Sequence, residues 1–421
     1  MTRDGAGRGR FVRGWGVIGG VCALMAIASG LGFYNASVYL EAVVAERGIP
    51  VGVGSWATAG FFVLFGLAGV PVSRWVGERD PRPVILAGGA LGGLALLWLS
   101  QATSVAGLVG AFAILGVAFS GISFVPGTVL INRWFVRRRT LALALATTGL
   151  SIGGIVITPA TATAIERTDL STVGPWLALG WTAGVVLVVA VAIRPWPEAL
   201  GLAPDGDAPP DAPTAPLGGL TPGEVYRSTT FRLLTVGVTL LMLSQVGVMA
   251  HLYGFGLLRA NPATAAAAVS TVAFSSVVGR VIGVWLLTRV EALWFTTGLA
   301  ALQVCSLTLL SLPTGGPGLL AATAVFGLSV GNLLVVIPIV LVETFGAAPY
   351  ARIYAVNQLI GAVGVAAGPI LFGMVRDALG TYTPAAVAAA GVSLVSAVLL
   401  VAVGRVRTRE GLPVAAGAAG S

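Results

Sequence analysis

Twelve long apolar stretches, separated by short polar segments, run along this chain. Each holds roughly 20 or more residues, the length that an α-helix needs to cross the hydrocarbon core of a bilayer. The stretches cover residues 14–45, 52–76, 83–101, 106–132, 140–165, 172–194, 231–258, 263–288, 292–312, 317–344, 352–376 and 382–404. The first follows several arginines, as a signal peptide does, but its length and the eleven similar stretches after it favour a transmembrane helix. The pattern predicts an all-α membrane protein with twelve transmembrane helices.

A polar interval divides the predicted helices into two sets of six. Residues 195–230 are rich in proline, glycine and aspartate, which is typical of a flexible linker. Near its end, Thr221, Pro222 and Glu224 predict a capping box that begins a short helix. The expected domains are a tail over 1–13, a six-helix bundle over 14–194, this linker, a second six-helix bundle over 231–404 and a tail over 405–421. Two bundles joined in this way are typical of secondary transporters.

Composition supports a membrane protein, because 56% of the residues are hydrophobic and only 10% are charged. The net charge of +8 raises the question of nucleic-acid binding, and all 24 basic residues are arginine. With the N-terminus inside, 19 arginines fall in cytoplasmic segments and four in outer segments. The positive-inside rule and attraction to anionic membrane lipids explain this charge without nucleic acid. We expect a multi-pass protein of the cytoplasmic (inner) membrane with both termini in the cytoplasm.

The sequence carries no pattern for catalysis. Cys22 and Cys305 fall in different apolar stretches, so they predict neither a disulfide framework nor a metal site. The sequence also lacks a nucleotide-binding motif, a metal-binding cluster and a nucleophile with its base. We therefore predict no enzyme activity, no metal and no cofactor, and the sequence indicates no obligate protein partner.

Small residues and prolines predict how the helices pack. Glycines spaced by four residues allow close approach of helices in lipid, and prolines inside helices favour kinks. The glycine pairs are Gly149 with Gly153 and Gly364 with Gly368, and the prolines are Pro126, Pro159, Pro338 and Pro369.

The stretch RWFVRRRTLALALATTGLSIGG, residues 133–154, resembles the signature of the monocarboxylate transporter family in the major facilitator superfamily. Trp134 and Phe135 match its aromatic pair, residues 137–139 match its basic cluster, and Ala144 stands where the family usually has glycine. ISFVPGTVLINRWF, TPGEVYRSTTFRLL and VETFGAAPYARIYAVNQLIG resemble other parts of the family in the same order. The chain is thus similar to a bacterial member of this family or of its oxalate/formate antiporter-like branch, which implies the major facilitator fold.

One arginine, Arg280, stands inside an apolar helix, in the stretch FSSVVGRVIGVW at residues 274–285. It lies about seven residues, or about 10 Å, before the expected end of the eighth helix. An arginine inside a membrane costs about 2.5–3.5 kcal/mol on insertion scales. Either its side chain extends to the cytoplasmic interface or pairs with a helix carboxylate, or it binds the carboxylate of a substrate. In the family that this chain resembles, an arginine in this setting binds the substrate anion, which favours the second explanation.

The resemblance by itself does not imply proton symport. Animal members of the family have an aspartate four residues before this arginine and a lysine in the first helix, both tied to proton coupling. Ser276 and Tyr34 stand at these positions here. The oxalate/formate antiporter adds a lysine in the eleventh helix, where this chain has Asn357 and Gln358. A single positive charge therefore favours a monoanion as substrate.

Other polar residues inside the apolar helices are candidates for substrate binding, and hydrogen bonding between helices is the alternative role for each. They are Tyr34, Asn35 and Tyr39 in the first helix, Ser123 in the fourth, Ser276 in the eighth, Asn332 in the tenth and Asn357 in the eleventh. His251, the only histidine, titrates near neutral pH when unperturbed. It either takes part in proton coupling or forms a neutral structural hydrogen bond.

Together these features predict a secondary active transporter of a small organic anion, in particular a monocarboxylate, with Arg280 as the carboxylate ligand and the proton as a candidate coupling ion. The alternative is an efflux pump for amphipathic drugs or other metabolites, in which Arg280 is dispensable. A transporter-shaped sensor ranks last, because the linker is too short for a signalling domain.

Overall fold

In a computed structural model the chain is built from α-helices, and no strand is present among the residues that the structure describes. These are residues 4–135, 138–194, 196–197, 220–346 and 350–412. Most of the predicted linker and the ends of both predicted tails lie outside the described residues. Twelve helical segments within the described residues are long and apolar enough to cross a membrane, which confirms the predicted number.

The chain forms two compact units, Met1–Pro213 and Thr214–Ser421. The division falls inside the range predicted as the linker. The first unit contains α1 Asp4–Ala28, α2 Ala36–Arg47, α3 Val51–Glu78, α4 Pro81–Gln101, α5 Val105–Ile122, α6 Phe124–Trp134, α7 Arg139–Ile152, α8 Thr158–Arg167 and α9 Leu170–Val191. The second unit contains α10 Pro222–Arg227, α11 Thr229–Arg259, α12 Pro262–Leu287, α13 Ala292–Ser311, α14 Gly316–Phe345, α15 Tyr350–Leu379 and α16 Thr383–Arg409.

Three spans of the first unit are interrupted within the membrane. A π-helical segment, Ser29–Phe33, lies between α1 and α2, and a second, Gly153–Ile157, lies between α7 and α8. Ser123 leaves the helical conformation between α5 and α6. Pro126 and Pro159 lie just beyond two of these interruptions, where a proline gives no N–H to the preceding turn. Pro338 and Pro369 lie inside the continuous helices α14 and α15.

Glycines bring the helices of each unit into close contact, as their spacing predicted. A Cβ atom added to Gly149 would clash with the backbone of Cys22 in α1. One added to Gly364 would clash with the carbonyl of Thr239 in α11. Only glycine therefore permits these backbone distances, and close packing replaces the hydrophobic effect that is absent between helices in lipid.

The predicted capping box is present. The backbone N–H of Thr221 donates to Glu224 Oε2 over 2.8 Å, and the N–H of Glu224 donates to Thr221 Oγ1 over 3.4 Å. These bonds begin α10, whose Val225 is fully buried in the core of the second unit. Leu220 also donates its N–H to the carbonyl of Phe345 over 3.3 Å. The segment before α11 therefore packs on the second unit.

Candidate functional site

Arg280 lies in α12, seven residues before the helix ends at Leu287, as the sequence predicted. Its side chain extends along α12 toward the preceding turn. Nε donates to the carbonyl oxygen of Ser276 over 3.2 Å, and Nη2 donates to Ser276 Oγ over 3.3 Å. Ser276 is farther from the nearer helix end than Arg280 is. The guanidinium therefore turns away from that end, which disfavours extension to the interface.

Helix α14 leaves room for this side chain because of Gly331. A Cβ atom at position 331 would lie 3.0 Å from both Cγ and Nε of Arg280, closer than nearly all Cβ contacts. Gly327, one turn earlier, brings α14 against Val272 and Ser275 of α12. This pair was not predicted, although its spacing of four residues is the same as that of Gly149 with Gly153 and of Gly364 with Gly368.

Asn332 completes a polar group at the contact between α12 and α14. Its Nδ2 donates to the carbonyl of Leu328 over 2.9 Å, and its Oδ1 lies against Gly283. Asn332 follows Gly331 in sequence and is largely buried. The structure thus brings Ser276 and Arg280 into direct contact and places Asn332 at the same contact between α12 and α14.

Asn357 has a different partner in the second unit. Its Nδ2 donates to Thr235 Oγ1 over 3.2 Å, which connects α15 to α11. Both side chains are almost fully buried. This is a hydrogen bond between helices, which was the alternative role expected for Asn357.

Three predicted residues of the first unit form a group at the junction between the first π-helical segment and α2. The hydroxyl of Tyr39 donates to the carbonyl of Leu31 over 2.9 Å and accepts a bond from Asn35 Nδ2 over 3.3 Å. Tyr34 packs edge-on against Phe33, with ring centroids 5.1 Å apart. All three predicted side chains are buried. The hydroxyl of Tyr39 therefore stabilises an irregular stretch of backbone.

Ser123 is buried at the interruption between α5 and α6. Its Oγ accepts the N–H of Phe124, at the start of α6. The hydroxyl thus satisfies one of the backbone donors that a helix start leaves without an intrahelical partner.

His251 is buried in α11 and both of its ring nitrogens have partners. Nε2 lies 2.9 Å from the carbonyl oxygen of Pro369, and Nδ1 lies 3.3 Å from the hydroxyl of Tyr382. A carbonyl only accepts, so Nε2 carries a proton, and in a neutral ring Nδ1 accepts from the hydroxyl of Tyr382. The ring also stacks on Phe372. This geometry favours the structural interpretation of His251.

The described residues contain no group of three or more histidine, cysteine or acidic side chains that could hold a metal ion. Among Ser276, Arg280 and Asn332, only Arg280 carries a permanent charge. A guanidinium binds a carboxylate or a similar planar anion in bidentate fashion.

Comparison with known proteins gives a consistent result. The sequence profile of the Major Facilitator Superfamily matches residues 22–369. Monocarboxylate transporter 13 of Bos taurus is 28% identical over 348 residues, which are 79% of this chain and 76% of the relative. Monocarboxylate transporter 11 of Mus musculus is 27% identical over 327 residues, or 74% of this chain and 69% of the relative.

Solved transporters share the fold. The nucleoside transporter NupG has a TM-score of 0.70 at 14% identity, with 92% of this chain and 99% of that chain covered. A bacterial homologue of the human lysosomal transporter Spinster has a TM-score of 0.62 at 14% identity, with 94% and 96% covered. The relatives in sequence and the neighbours in fold are transporters, not enzymes.

Proposed function

This chain belongs to the Major Facilitator Superfamily of membrane transporters, and from that premise we propose that it moves a monocarboxylate across the membrane by alternating access. Arg280 binds the carboxylate of the substrate. The relatives named monocarboxylate transporters support this substrate class.

The observation that carries the proposal is the direction of the Arg280 side chain. A guanidinium inside a membrane is costly, and extension to the nearer interface would reduce that cost. The side chain instead bonds back to Ser276 and lies across Gly331. This arrangement directs the fork of guanidinium donors away from the nearer helix end, and a bound carboxylate would accept parallel hydrogen bonds from it.

Ser276 and Asn332 form the remainder of the proposed anion site in the second unit. Ser276 orients the guanidinium through its hydroxyl and its carbonyl. Asn332 presents an amide to the same contact between helices. We propose secondary roles for five other polar residues, which support the transport pathway within their own units. They are Tyr34, Asn35, Tyr39, Ser123 and Asn357.

We also propose that the protein resides in the cytoplasmic (inner) membrane with both termini in the cytoplasm. The distribution of arginines supports this orientation, because 19 fall in the segments that it assigns to the cytoplasm. Fusion of a reporter that matures only in the cytoplasm to either terminus tests it, and an inactive reporter at both termini would contradict it.

Uptake into proteoliposomes tests the transport proposal. Radiolabelled lactate, pyruvate, acetate, formate and oxalate are supplied to the wild type and to the Arg280→Ala variant, with an imposed proton gradient in half of the samples. We expect saturable uptake of at least one monocarboxylate by the wild type and its loss in the variant. Oxalate is expected to be a poorer substrate, since one guanidinium neutralises one charge.

Arg167→Ala is the matched control, because Arg167 is exposed at the end of α8. It removes one positive charge and should leave uptake unchanged. Uptake that is indifferent to Arg280, or transport of amphipathic cations without any acid, would contradict the proposal and favour the efflux pump. The response to the gradient distinguishes symport from exchange or uniport.

A further inference from the structure

The same pairing of tryptophan with arginine occurs at the end of one helix in each unit. Trp75 and Arg79 are four residues apart at the end of α3, and Trp285 and Arg289 are four residues apart at the end of α12. The guanidinium carbon of Arg79 lies 4.5 Å from the ring centroid of Trp75. The corresponding distance for Arg289 and Trp285 is 3.9 Å. We call these the two Trp-Arg pairs.

Each pair continues an apolar face that no other part of the described structure covers. On α3 the side chain of Val70 is 54% exposed, and that of Trp75 is 40% exposed. On α12 Val281 is 68% exposed and Trp285 is 56% exposed. Each face thus has exposed aliphatic side chains at one end and a tryptophan with an arginine stacked on it at the other. A lipid has the same order of parts, an apolar acyl chain followed by a polar headgroup.

The pair on α3 also borders a groove. Its volume is about 270 Å³, and its lining residues are Val70, Pro71, Arg74, Trp75, Glu78 and Arg79. The first two supply an apolar wall, and the two arginines with Glu78 supply a net charge of +1. On α12 the residue before Arg289 is Thr288, and the carboxylate of Glu291, two residues after Arg289, is paired with Arg407, so the pair keeps its positive charge.

Stacking orients the donors of these arginines. When the face of a guanidinium lies on an indole ring, its N–H groups point outward in the plane of the fork and can bind phosphate oxygens. The backbone N–H groups of Arg79 and Arg289 donate to the carbonyls of Trp75 and Leu286. Among the residues that the structure describes, the side chains of Arg74, Arg79 and Arg289 donate no hydrogen bond to a protein group. Their donors are therefore available to a ligand.

We propose that the two Trp-Arg pairs are binding sites for an anionic glycerophospholipid, with its phosphate on Arg79 or Arg289 and an acyl chain along the exposed face of α3 or α12. The net positive charge at each pair selects a lipid with a negative headgroup over a zwitterionic one. This inference does not depend on the transported substrate.

Native mass spectrometry of the purified protein tests the two sites. The protein is titrated with phosphatidylglycerol, phosphatidylethanolamine or phosphatidylcholine of identical acyl chains. We expect two tightly bound molecules of phosphatidylglycerol, and binding of each zwitterionic lipid that is weaker by about fivefold or more, from the approximate effect of one charge at a membrane surface. Arg79→Gln and Arg289→Gln should each remove one tight site, and the double variant should remove both.

Arg167→Gln is the control for loss of one positive charge at an exposed helix end, and it should retain both tight sites. Trp75→Leu and Trp285→Leu keep apolar volume but remove the stacking surface, and they should weaken the corresponding site. The two arginine variants alter exposed side chains, so they report on binding even if the tryptophan variants are unstable. Equal binding of all three lipids, or an unchanged number of tight sites in the double arginine variant, would overturn the proposal.

Discussion

Arg280 and Gly331 depend on each other at the contact between α12 and α14. The stem of Arg280 occupies the space that a side chain at position 331 would need. The two bonds to Ser276 then fix the direction of the guanidinium. The geometry of the proposed anion site therefore depends on a residue that carries no functional group.

Gly331→Ala should abolish or strongly reduce monocarboxylate uptake. The added Cβ would meet both Arg280 and the carbonyl of Ser276, so α12 and α14 must separate. Overpacking of this kind typically costs about 1–3 kcal/mol. Gly298→Ala in α13 is the matched control, since an added Cβ meets nothing within 4 Å. Normal uptake by Gly331→Ala would mean that Arg280 does not need its present position.

Variants of His251 can distinguish a structural hydrogen bond from a role in proton coupling. His251→Phe removes the hydrogen bonds of the ring to the carbonyl of Pro369 and the hydroxyl of Tyr382. It should lower the thermal unfolding temperature, because loss of a buried hydrogen-bond partner costs about 1–3 kcal/mol. His251→Gln can still donate to Pro369 and accept from Tyr382, so it should recover most of this stability. Both variants should keep the wild-type response of uptake to a proton gradient. Loss of that response in a stable His251→Gln variant would instead indicate proton coupling.

At the scale of single residues, the sequence could predict the depth of Arg280 but not the direction of its side chain. Depth follows from counting residues along an apolar helix. Direction depends on Gly331 of another helix, and pairing of helices cannot be read from one sequence. Tyr39 illustrates the same limit, because its bond to Leu31 depends on a π-helical turn that no simple periodicity indicates.

Helix ends are bound to neighbouring helices by charged side chains. Arg47, at the end of α2, donates to the carbonyls of Leu99 and Ser100 in the last turn of α4 and to the carbonyl of Ala102 just after it. Arg259, at the end of α11, does the same for the end of α13, with bonds of 2.6 Å to Leu310 and 2.7 Å to Leu312. In each unit, therefore, an arginine at the end of the first long span binds the backbone carbonyls at the end of the third.

The ion pair between Arg407 and Glu291 should contribute strongly to the stability of the second unit. It connects the end of α16 to the start of α13, and both side chains are largely buried. Arg407→Met leaves a buried carboxylate without its partner, so we expect a loss of about 3–5 kcal/mol in the free energy of unfolding.

The double variant Glu291→Met with Arg407→Met should lose less than the single variant, because it removes both charges. Thermal unfolding of the detergent-purified proteins measures the order of stabilities. A double variant that is less stable than Arg407→Met would contradict the explanation by an unpaired charge.

At the scale of elements, periodicity and length were sufficient for the twelve spans, and most of their predicted bounds differ from the structure by only a few residues. The exception is the first helix, since α1 begins at Asp4, within the range predicted as a tail. The interruptions within three spans of the first unit were harder to predict. Pro126 and Pro159 gave a signal for two of them. The π-helical segment Ser29–Phe33 has no proline, and it packs through Gly30 against Gly153 and Ile157 of the second π-helical segment. The local sequence does not encode this tertiary contact.

For the whole molecule, the order of motifs predicted the superfamily more reliably than any one motif did. The profile match extends over residues 22–369 and so spans both units. Features that recur in each unit, such as the arginines that cap helix ends and the two Trp-Arg pairs, were not recognised in the sequence. Their shared spacing was visible in the sequence, but the contacts that they share became apparent only in the structure.

The central claim is that the guanidinium of Arg280 binds the substrate carboxylate. Isothermal titration calorimetry of the purified transporter with its transported monocarboxylate tests this claim separately from flux, using the wild type, Arg280→Gln and the control Arg167→Gln. Loss of a charge-assisted bond worth about 1.5–3 kcal/mol predicts a Kd that rises at least about tenfold in Arg280→Gln and stays unchanged in the control. A Kd for Arg280→Gln equal to that of the wild type would contradict the claim.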